Sequence, residues 1–234
     1  MPYDAVEALL LDLGNTLIGM DPALVAEACC AEGLPCTAEA FARAEPSARP
    51  SLSAWIASPS SDEPTSLVYV REILRRLEPD GERCTALAPR LLARMKSVPT
   101  QRLWSAVLPG ARDALERAQR LGLRVIVVSN SDGTAEAGMV DVGLRPLVDA
   151  VVDSDLFGAE KPDRRIFEHA LSLAGVAPGA AIHAGDLYAV DVVGAASAGI
   201  HPVLLDPYGD WPTVDCAVAP DVGAIVDRIE RART

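Results

Sequence analysis

Residues 8–17 read ALLLDLGNTL, a short apolar run that ends in a polar turn. The apolar part is too short for a typical helix, and its length and flanks favour a buried parallel strand. We expect this strand to end near Asp12. In an open α/β sheet, ligands bind beyond the carboxyl ends of the strands, so the polar turn after Leu11 is a candidate for functional residues.

Strands and helices alternate again after Pro109. Further strands are predicted at Arg124–Val128, Ala150–Val152, Ala180–Ala184 and Pro202–Leu205. Helices are predicted from Gly110 to Leu121 and at Thr134–Met139, Arg164–Ala174 and Tyr188–Ala198. Parallel strands joined by helices need right-handed crossovers, which produce a sheet covered on both faces. The predicted fold class is therefore α/β, with a doubly wound parallel sheet of Rossmann-like type.

The segment between the first and second predicted strands has a helical character. Apolar residues repeat there at three- and four-residue steps, at Leu67, Val70, Ile73, Leu74 and Leu77. The stretch Pro46–Ser66 is rich in proline and serine and is predicted to be a loop anchored by Trp55 and Ile56. We therefore predict a sheet domain of residues 1–17 and 105–234, interrupted by an α-helical domain of residues 18–104.

Composition narrows the class of protein. The chain has 234 residues, half of them apolar, and a formal net charge of −12. This charge, without a basic stripe, argues against a nucleic-acid partner. No apolar run approaches the ~18 residues of a membrane helix, and the N-terminus lacks a leader pattern, so we expect a cytoplasmic protein. The five cysteines have no metal-binding spacing and are expected to be thiols buried as small hydrophobic residues.

Four predicted strand ends carry polar side chains suited to phosphoryl chemistry. In chain order they hold Asp12 with Thr16, Ser129 with Asn130, Lys161, and Asp186 with Asp191. A carboxylate can attack an electrophile, and paired carboxylates suit Mg²⁺. Taken singly, each residue has an ordinary alternative as a turn residue, a helix cap or a solvated surface group.

Together, the order and spacing of these four segments resemble the four motifs of the haloacid dehalogenase superfamily. The resemblance covers the whole sheet domain, and the insert is similar to the helical cap that closes over the site in that superfamily. It implies a Mg²⁺-dependent phosphatase of a small phosphorylated substrate that works through an aspartyl phosphate. It further implies that the catalytic residues are Asp12, Ser129 and Lys161, that Mg²⁺ is held by Asp12, the Gly14 carbonyl, Asp186 and Asp191, and that the phosphoryl group is bound by Thr16, Ser129, Asn130 and Lys161.

One position departs from the motif. The superfamily's phosphatases normally carry a second Asp two residues after the nucleophile, and here that residue is Gly14. General acid–base catalysis of this kind typically contributes 10²–10⁴-fold, so its loss matters. Three interpretations remain: a phosphatase that uses good leaving groups or another proton donor, a catalytically degenerate protein with a binding or regulatory role, and a dehalogenase.

Some features are open at this level. The side chains of the cap that select the substrate cannot be placed, and a monomer and a homodimer are both compatible with the sequence. His183 is expected to be a hydrogen-bonded core residue, since strand alternation points it away from Asp186. Arg71, Arg75 and Arg76 are expected on the wet face of an amphipathic helix.

Overall fold

Strand β1 lies at the centre of a six-stranded sheet in the computed structural model, which describes residues 3–234. Residues 1 and 2, which the predicted sheet domain includes, lie outside the described range. The strands are β1 (Ala8–Leu11), β2 (Ile18–Gly19), β3 (Ala106–Val107), β4 (Arg124–Ser129), β5 (Ala150–Asp153), β6 (Ala181–Gly185), β7 (His201–Leu205) and β8 (Ala217–Ala219). The helices are α1 (Pro22–Ala31), α2 (Ala38–Ala57), α3 (Thr65–Leu77), α4 (Gly81–Lys96), α5 (Thr100–Leu103), α6 (Ala111–Arg120), α7 (Ala135–Asp141), α8 (Ser154–Phe157), α9 (Arg164–Ala174), α10 (Val193–Ser197) and α11 (Val222–Ala232).

The strand order is β5-β4-β1-β6-β7-β8, and every neighbouring pair is parallel. All four residues of β1 are buried, as expected for a strand covered on both faces. Helices α6, α7 and α11 pack on one face through residues such as Leu115 and Ile225, and α9 and α10 pack on the other through residues such as Phe167. The predicted doubly wound parallel sheet is confirmed.

Helices α1–α5, hereafter the helical lobe, connect β1 to the rest of the sheet. Strands β2 and β3 pair antiparallel, with Ile18 opposite Val107, so the chain leaves and re-enters the sheet region at one place. The lobe has a core of its own, which includes Phe41, Leu74 and Leu91. The exact division of the chain into a sheet domain and a cap domain stays a prediction.

The prediction of a loop at Pro46–Ser66 was wrong for residues 46–57, because α2 continues to Ala57 through two prolines, Pro46 and Pro50, and it was confirmed for residues 58–64. A proline inside a helix removes a backbone hydrogen bond and costs ~3 kcal/mol. Burial of one face of α2, which includes Ala48 and Leu52, offsets this cost. Tertiary packing therefore overrides the local breaker signal.

The helix predicted at Tyr188–Ala198 consists of a π-helical turn, Tyr188–Val192, followed by α10. The wide turn brings Asp191 back against the end of β6. A side chain at Gly185 would place its Cβ 2.2 Å from the Asp191 carboxyl carbon, so only glycine fits at that strand end. Such turns are frequent at functional sites.

Within residues 3–234, no helix is both long and apolar enough to cross a membrane.

The contact between α10 and α9 generates a stability prediction. An added Cβ at Gly194 would lie 2.4 Å from Phe167 Cε2 and 3.0 Å from the Pro162 backbone, so Gly194→Ala should overpack the core. We expect a loss of about 1–3 kcal/mol in the free energy of unfolding, measured by urea denaturation.

Gly138→Ala in α7 is the matched control, because a Cβ there meets nothing within 4 Å. That variant should keep or gain up to about 1 kcal/mol, as alanine is the better helix former. Equal effects of the two substitutions would contradict the packing at Gly194.

Candidate active site

A buried ion pair joins Asp12 and Lys161 at the carboxyl edge of the sheet. Asp12 follows β1, and its backbone N–H donates to Ala184 of β6 at 2.9 Å. Lys161 Nζ lies 2.6 Å from Asp12 Oδ1 and 2.7 Å from Asp191 Oδ1, and its side chain is 1% exposed. Burial alone would lower the pKa of Lys161, but the two carboxylates outweigh it and raise that pKa, so the ammonium is kept charged.

The backbone of Lys161 is fixed by Asn130, which follows β4. The Asn130 amide donates to the Lys161 carbonyl at 2.9 Å, and its Oδ1 accepts from the Lys161 N–H at 2.7 Å. Asn130 was predicted to bind the phosphoryl group. Both ends of its amide contact the Lys161 backbone, and Asn130 also lines the cavity that Asp12 and Lys161 face. Asn130 therefore positions Lys161, and its contact with a phosphoryl group stays a prediction.

Asp191 is held by three donors. Its Oδ1 accepts from Lys161 and contacts His183 Nε2 at 3.0 Å, and its Oδ2 accepts from the Leu187 N–H at 3.0 Å. Burial raises the pKa of Asp191, but Lys161 and His183 outweigh it and lower that pKa well below its usual range. Asp191 was predicted as a metal residue, and that role stays a prediction; these contacts show that it also holds the Lys161 ammonium in place.

His183 is a buried residue of β6 whose ring meets Phe167 edge to face. Its hydrogen-bonding contact with Asp191 confirms the expectation of a hydrogen-bonded core histidine. Burial lowers its pKa, so the imidazole is neutral near pH 7.

Some of the other predicted residues line the cavity beside Asp12, and Thr16 does not. Ser129, Gly14 and Asp186 line this cavity. Thr16 was predicted to bind substrate, but it is 3% exposed and its hydroxyl donates to Asp12 Oδ2 at 3.3 Å. Thr16 therefore holds the carboxylate and does not line the cavity.

The helical lobe contributes a buried polar network that the sequence prediction missed. Arg49 of α2 binds Glu45 through two hydrogen bonds of 2.8 and 2.5 Å, and its Nε lies 3.3 Å from Asp186 Oδ2. The Tyr69 hydroxyl donates to Glu45 at 2.6 Å and accepts from the Asn15 amide at 2.9 Å. Because Pro46–Ser66 was interpreted as a loop, the i, i+4 spacing of Glu45 and Arg49 was not recognised as a signal.

Asn15 connects this network to the sheet. Its backbone φ is 56°, the left-handed conformation that asparagine tolerates better than most residues, and its side chain donates to Asp186 Oδ2 at 3.1 Å. The turn after β1 therefore presents an amide to Asp186.

Three arginines of α3 bind partners within the helical lobe. Arg71 pairs with Glu63 and Arg75 pairs with Glu72. Arg76 donates to the Ser47 carbonyl and to the Ser51 hydroxyl.

The site carries more buried negative charge than positive charge. Four carboxylates are buried around it, those of Asp12, Glu45, Asp186 and Asp191. The buried permanent cations are Arg49 and Lys161. Burial, opposed by Arg49 and assisted by the neighbouring carboxylates, raises the pKa of Asp186 to about 8. With all four carboxylates ionised the excess is two negative charges, which a divalent cation would neutralise; without such a cation, the raised pKa keeps Asp186 protonated near pH 7.

The described residues hold no group of three or more His, Cys, Asp or Glu side chains arranged as a metal cluster. The set predicted to bind Mg²⁺ differs from such a cluster, because only Asp12 and Asp186 contribute side chains and the third donor is the Gly14 carbonyl. Asn15 and Arg49 both contact Oδ2 of Asp186. Among the described residues, this leaves Oδ1 of Asp186 for a cation. Oxygen donors of this kind are those that Mg²⁺ prefers.

Comparison with known proteins assigns the family. A family model described as haloacid dehalogenase-like hydrolase matches residues 6–199. The mouse (Mus musculus) haloacid dehalogenase-like hydrolase domain-containing protein 3 is 39% identical over 127 residues, which cover 54% of this chain and 49% of that protein. Ribulose-1,5-bisphosphate 5-phosphatase of Halopiger xanaduensis is 32% identical over 111 residues, which cover 44% of this chain and 46% of that protein. The chain thus matches about half the length of these curated relatives.

The fold comparison covers nearly the whole chain. The Bacillus subtilis HAD-hydrolase YfnB, whose crystal structure was determined bound to magnesium, superposes with a TM-score of 0.65 at 16% identity. The match covers 98% of this chain and 99% of that chain, and at this identity it supports the fold alone. With the family match over residues 6–199, it follows that the chain belongs to the haloacid dehalogenase-like hydrolases.

Proposed function

We propose that this hydrolase is a Mg²⁺-dependent phosphatase of a small phosphorylated metabolite, with Asp12 as nucleophile. The observation that carries the proposal is the buried Asp12–Lys161 pair at the carboxyl end of β1, which opens onto a cavity. The phosphatase named among the relatives supports phosphoryl chemistry in this family.

In the proposed reaction, an Asp12 oxygen attacks phosphorus and the bond from phosphorus to the leaving oxygen breaks. An anionic nucleophile and an anionic substrate repel each other, so positive charge must be aimed at the phosphoryl oxygens. Lys161 supplies a permanent cation 2.6 Å from Asp12. Ser129 lines the same cavity and offers a hydroxyl to the phosphoryl group.

Asp12, the Gly14 carbonyl and Asp186 would hold Mg²⁺, and the excess buried negative charge of the site supports this assignment. The bound ion would shield the attacking carboxylate and the phosphoryl oxygens from each other. Asn15 and Arg49 both contact Asp186, so they orient its carboxylate whether or not a cation is bound.

Asp191, His183 and Asn130 act behind Lys161. Asp191 and His183 fix the ammonium end of the side chain, and Asn130 fixes the backbone end. Positioning of this kind matters because small displacements of a catalytic group cost large factors in rate.

Hydrolysis of an activated phosphate ester tests the proposed nucleophile. Release of p-nitrophenol from p-nitrophenyl phosphate should require Mg²⁺ and should fall by at least ~10³-fold in Asp12→Asn, because the nucleophile is lost. Asp141→Asn, a change of an exposed carboxylate at the end of α7, is the control and should retain full activity.

If the native chain releases no p-nitrophenol with Mg²⁺, the phosphatase proposal fails, since this ester needs little help in expelling its leaving group. Chloroacetate is then the next substrate to test for dehalogenation. Binding of a phosphorylated ligand without any turnover would favour the degenerate-site interpretation.

Binding of Mg²⁺ can be tested separately from turnover. Titration with Mg²⁺ should raise the melting temperature of the native chain, because a ligand bound only by the folded state stabilises it by about 2.7 kcal/mol at 100 times its Kd. Asp186→Asn should remove the shift, and Asp141→Asn should preserve it. An equal Mg²⁺ shift in Asp186→Asn would contradict the assignment of Asp186 as a ligand.

A further inference from the structure

The cavity beside Asp12 has a volume of about 630 Å³, which lies in the range of small-molecule sites. Among the residues that line it within the described range 3–234, Lys161 alone is a Lys, Arg or His. If Lys161 serves the transferring phosphoryl group, no second basic side chain faces the rest of the substrate. Asp132 and Glu160, both exposed, line the same cavity and would repel a second anion.

Much of the wall is apolar. Leu52 and Ile56 of α2 lie on one side, Trp104 follows α5, and Leu187 and Val190 come from the segment after β6. Burying these surfaces against a substrate favours an apolar group at this part of the wall, although neutral polar side chains such as Thr65 and Gln101 also line the cavity.

Trp104 occupies the space that a side chain at position 14 would need. A Cβ added to Gly14 would lie 3.2 Å from Trp104 Cζ3 and 3.6 Å from Cη2. The edge of the indole therefore packs directly over the turn that carries Asp12. A side chain at position 14 would therefore fit only with a small shift of the indole.

The missing acid limits the leaving group. Tyr69 lines the cavity, but its hydroxyl proton is directed to Glu45 at 2.6 Å, and burial raises its pKa well above the ordinary value. An aliphatic alkoxide, with a pKa near that of water at about 15.7, leaves poorly without a proton. A phenolate, with a pKa of about 10, leaves far more readily.

We propose that the substrate class is a small aryl phosphate monoester with one phosphoryl group and an uncharged ring, and that Trp104 is a specificity-determining residue that packs on this ring. This inference rests on the proposed phosphatase function. In the first step the Asp12 carboxylate bonds to phosphorus and the phenolate departs with the electron pair of the broken P–O bond. In the second step water attacks the phosphorus, which regenerates the Asp12 carboxylate and releases hydrogen phosphate and a proton.

Two matched substrate pairs test the class. Phenyl phosphate should have a kcat at least ~10²-fold above that of cyclohexyl phosphate, which has a ring of the same size but an alkoxide leaving group. 4-Carbamoylphenyl phosphate should have a kcat/KM at least about fivefold above that of 4-carboxyphenyl phosphate, because the carboxylate adds a second anion.

Trp104 variants test the specificity role. Trp104→Ala should raise the KM for 2-naphthyl phosphate roughly tenfold and that for cyclohexyl phosphate less than threefold, and Trp104→Phe should restore most of the naphthyl affinity. A purely structural role would change both KM values together, with a lower melting temperature and no rescue by phenylalanine.

The outcomes separate the two proposals. Mg²⁺- and Asp12-dependent turnover in which cyclohexyl or 4-carboxyphenyl phosphate equals its partner would overturn the aryl class and leave the phosphatase function standing. No turnover of any of these esters would overturn the aryl class, and no turnover of p-nitrophenyl phosphate as well would overturn both proposals. Equal KM shifts for the two ring types in Trp104→Ala would remove Trp104 as the specificity residue.

Discussion

Burial of the Lys161 ammonium between Asp12 and Asp191 is the interaction on which the rest of the site depends. Charges this deeply buried are tolerated only when they are paired and hydrogen-bonded, and here each partner is tied to a different strand end. Asp12 follows β1, Asp191 follows β6, and the Lys161 backbone is fixed by Asn130 after β4. The order of parallel strands in the sheet therefore determines the geometry of the charged centre.

The helical lobe completes this centre by adding Glu45, Arg49 and Tyr69 above Asp186. Removing one member of such a network leaves a buried charge uncompensated, so the lobe and the sheet are coupled through polar contacts as well as through packing. The same lobe leads into Trp104, which fills the space above Gly14. A Cβ at position 14 would lie 3.2 Å from this ring, so an aspartate there would require the indole to shift by a few tenths of an ångström.

The sheet could be predicted because its strands are short apolar runs between helices, and the residues at strand ends could be listed because they share one edge. Partners were harder to predict. Asn130 and Thr16 were predicted to bind substrate, and no spacing in the sequence indicates the hydrogen bonds that they make to Lys161 and Asp12. Helix α2 was missed because prolines signal breaks locally, while the packing that overrides them is non-local. β8 and α11 carried no polar motif and were not predicted.

The proposed role of Asp12 as nucleophile requires a covalent phosphoryl group on its carboxylate during turnover. Reduction with borohydride converts an acyl phosphate on aspartate to homoserine, so the enzyme is mixed with p-nitrophenyl phosphate and Mg²⁺, quenched during turnover, reduced and digested for peptide mass spectrometry. We expect homoserine at position 12, and at no other aspartate, in the native chain, and none when substrate is omitted. Turnover without homoserine at position 12, or homoserine at another aspartate, would contradict it.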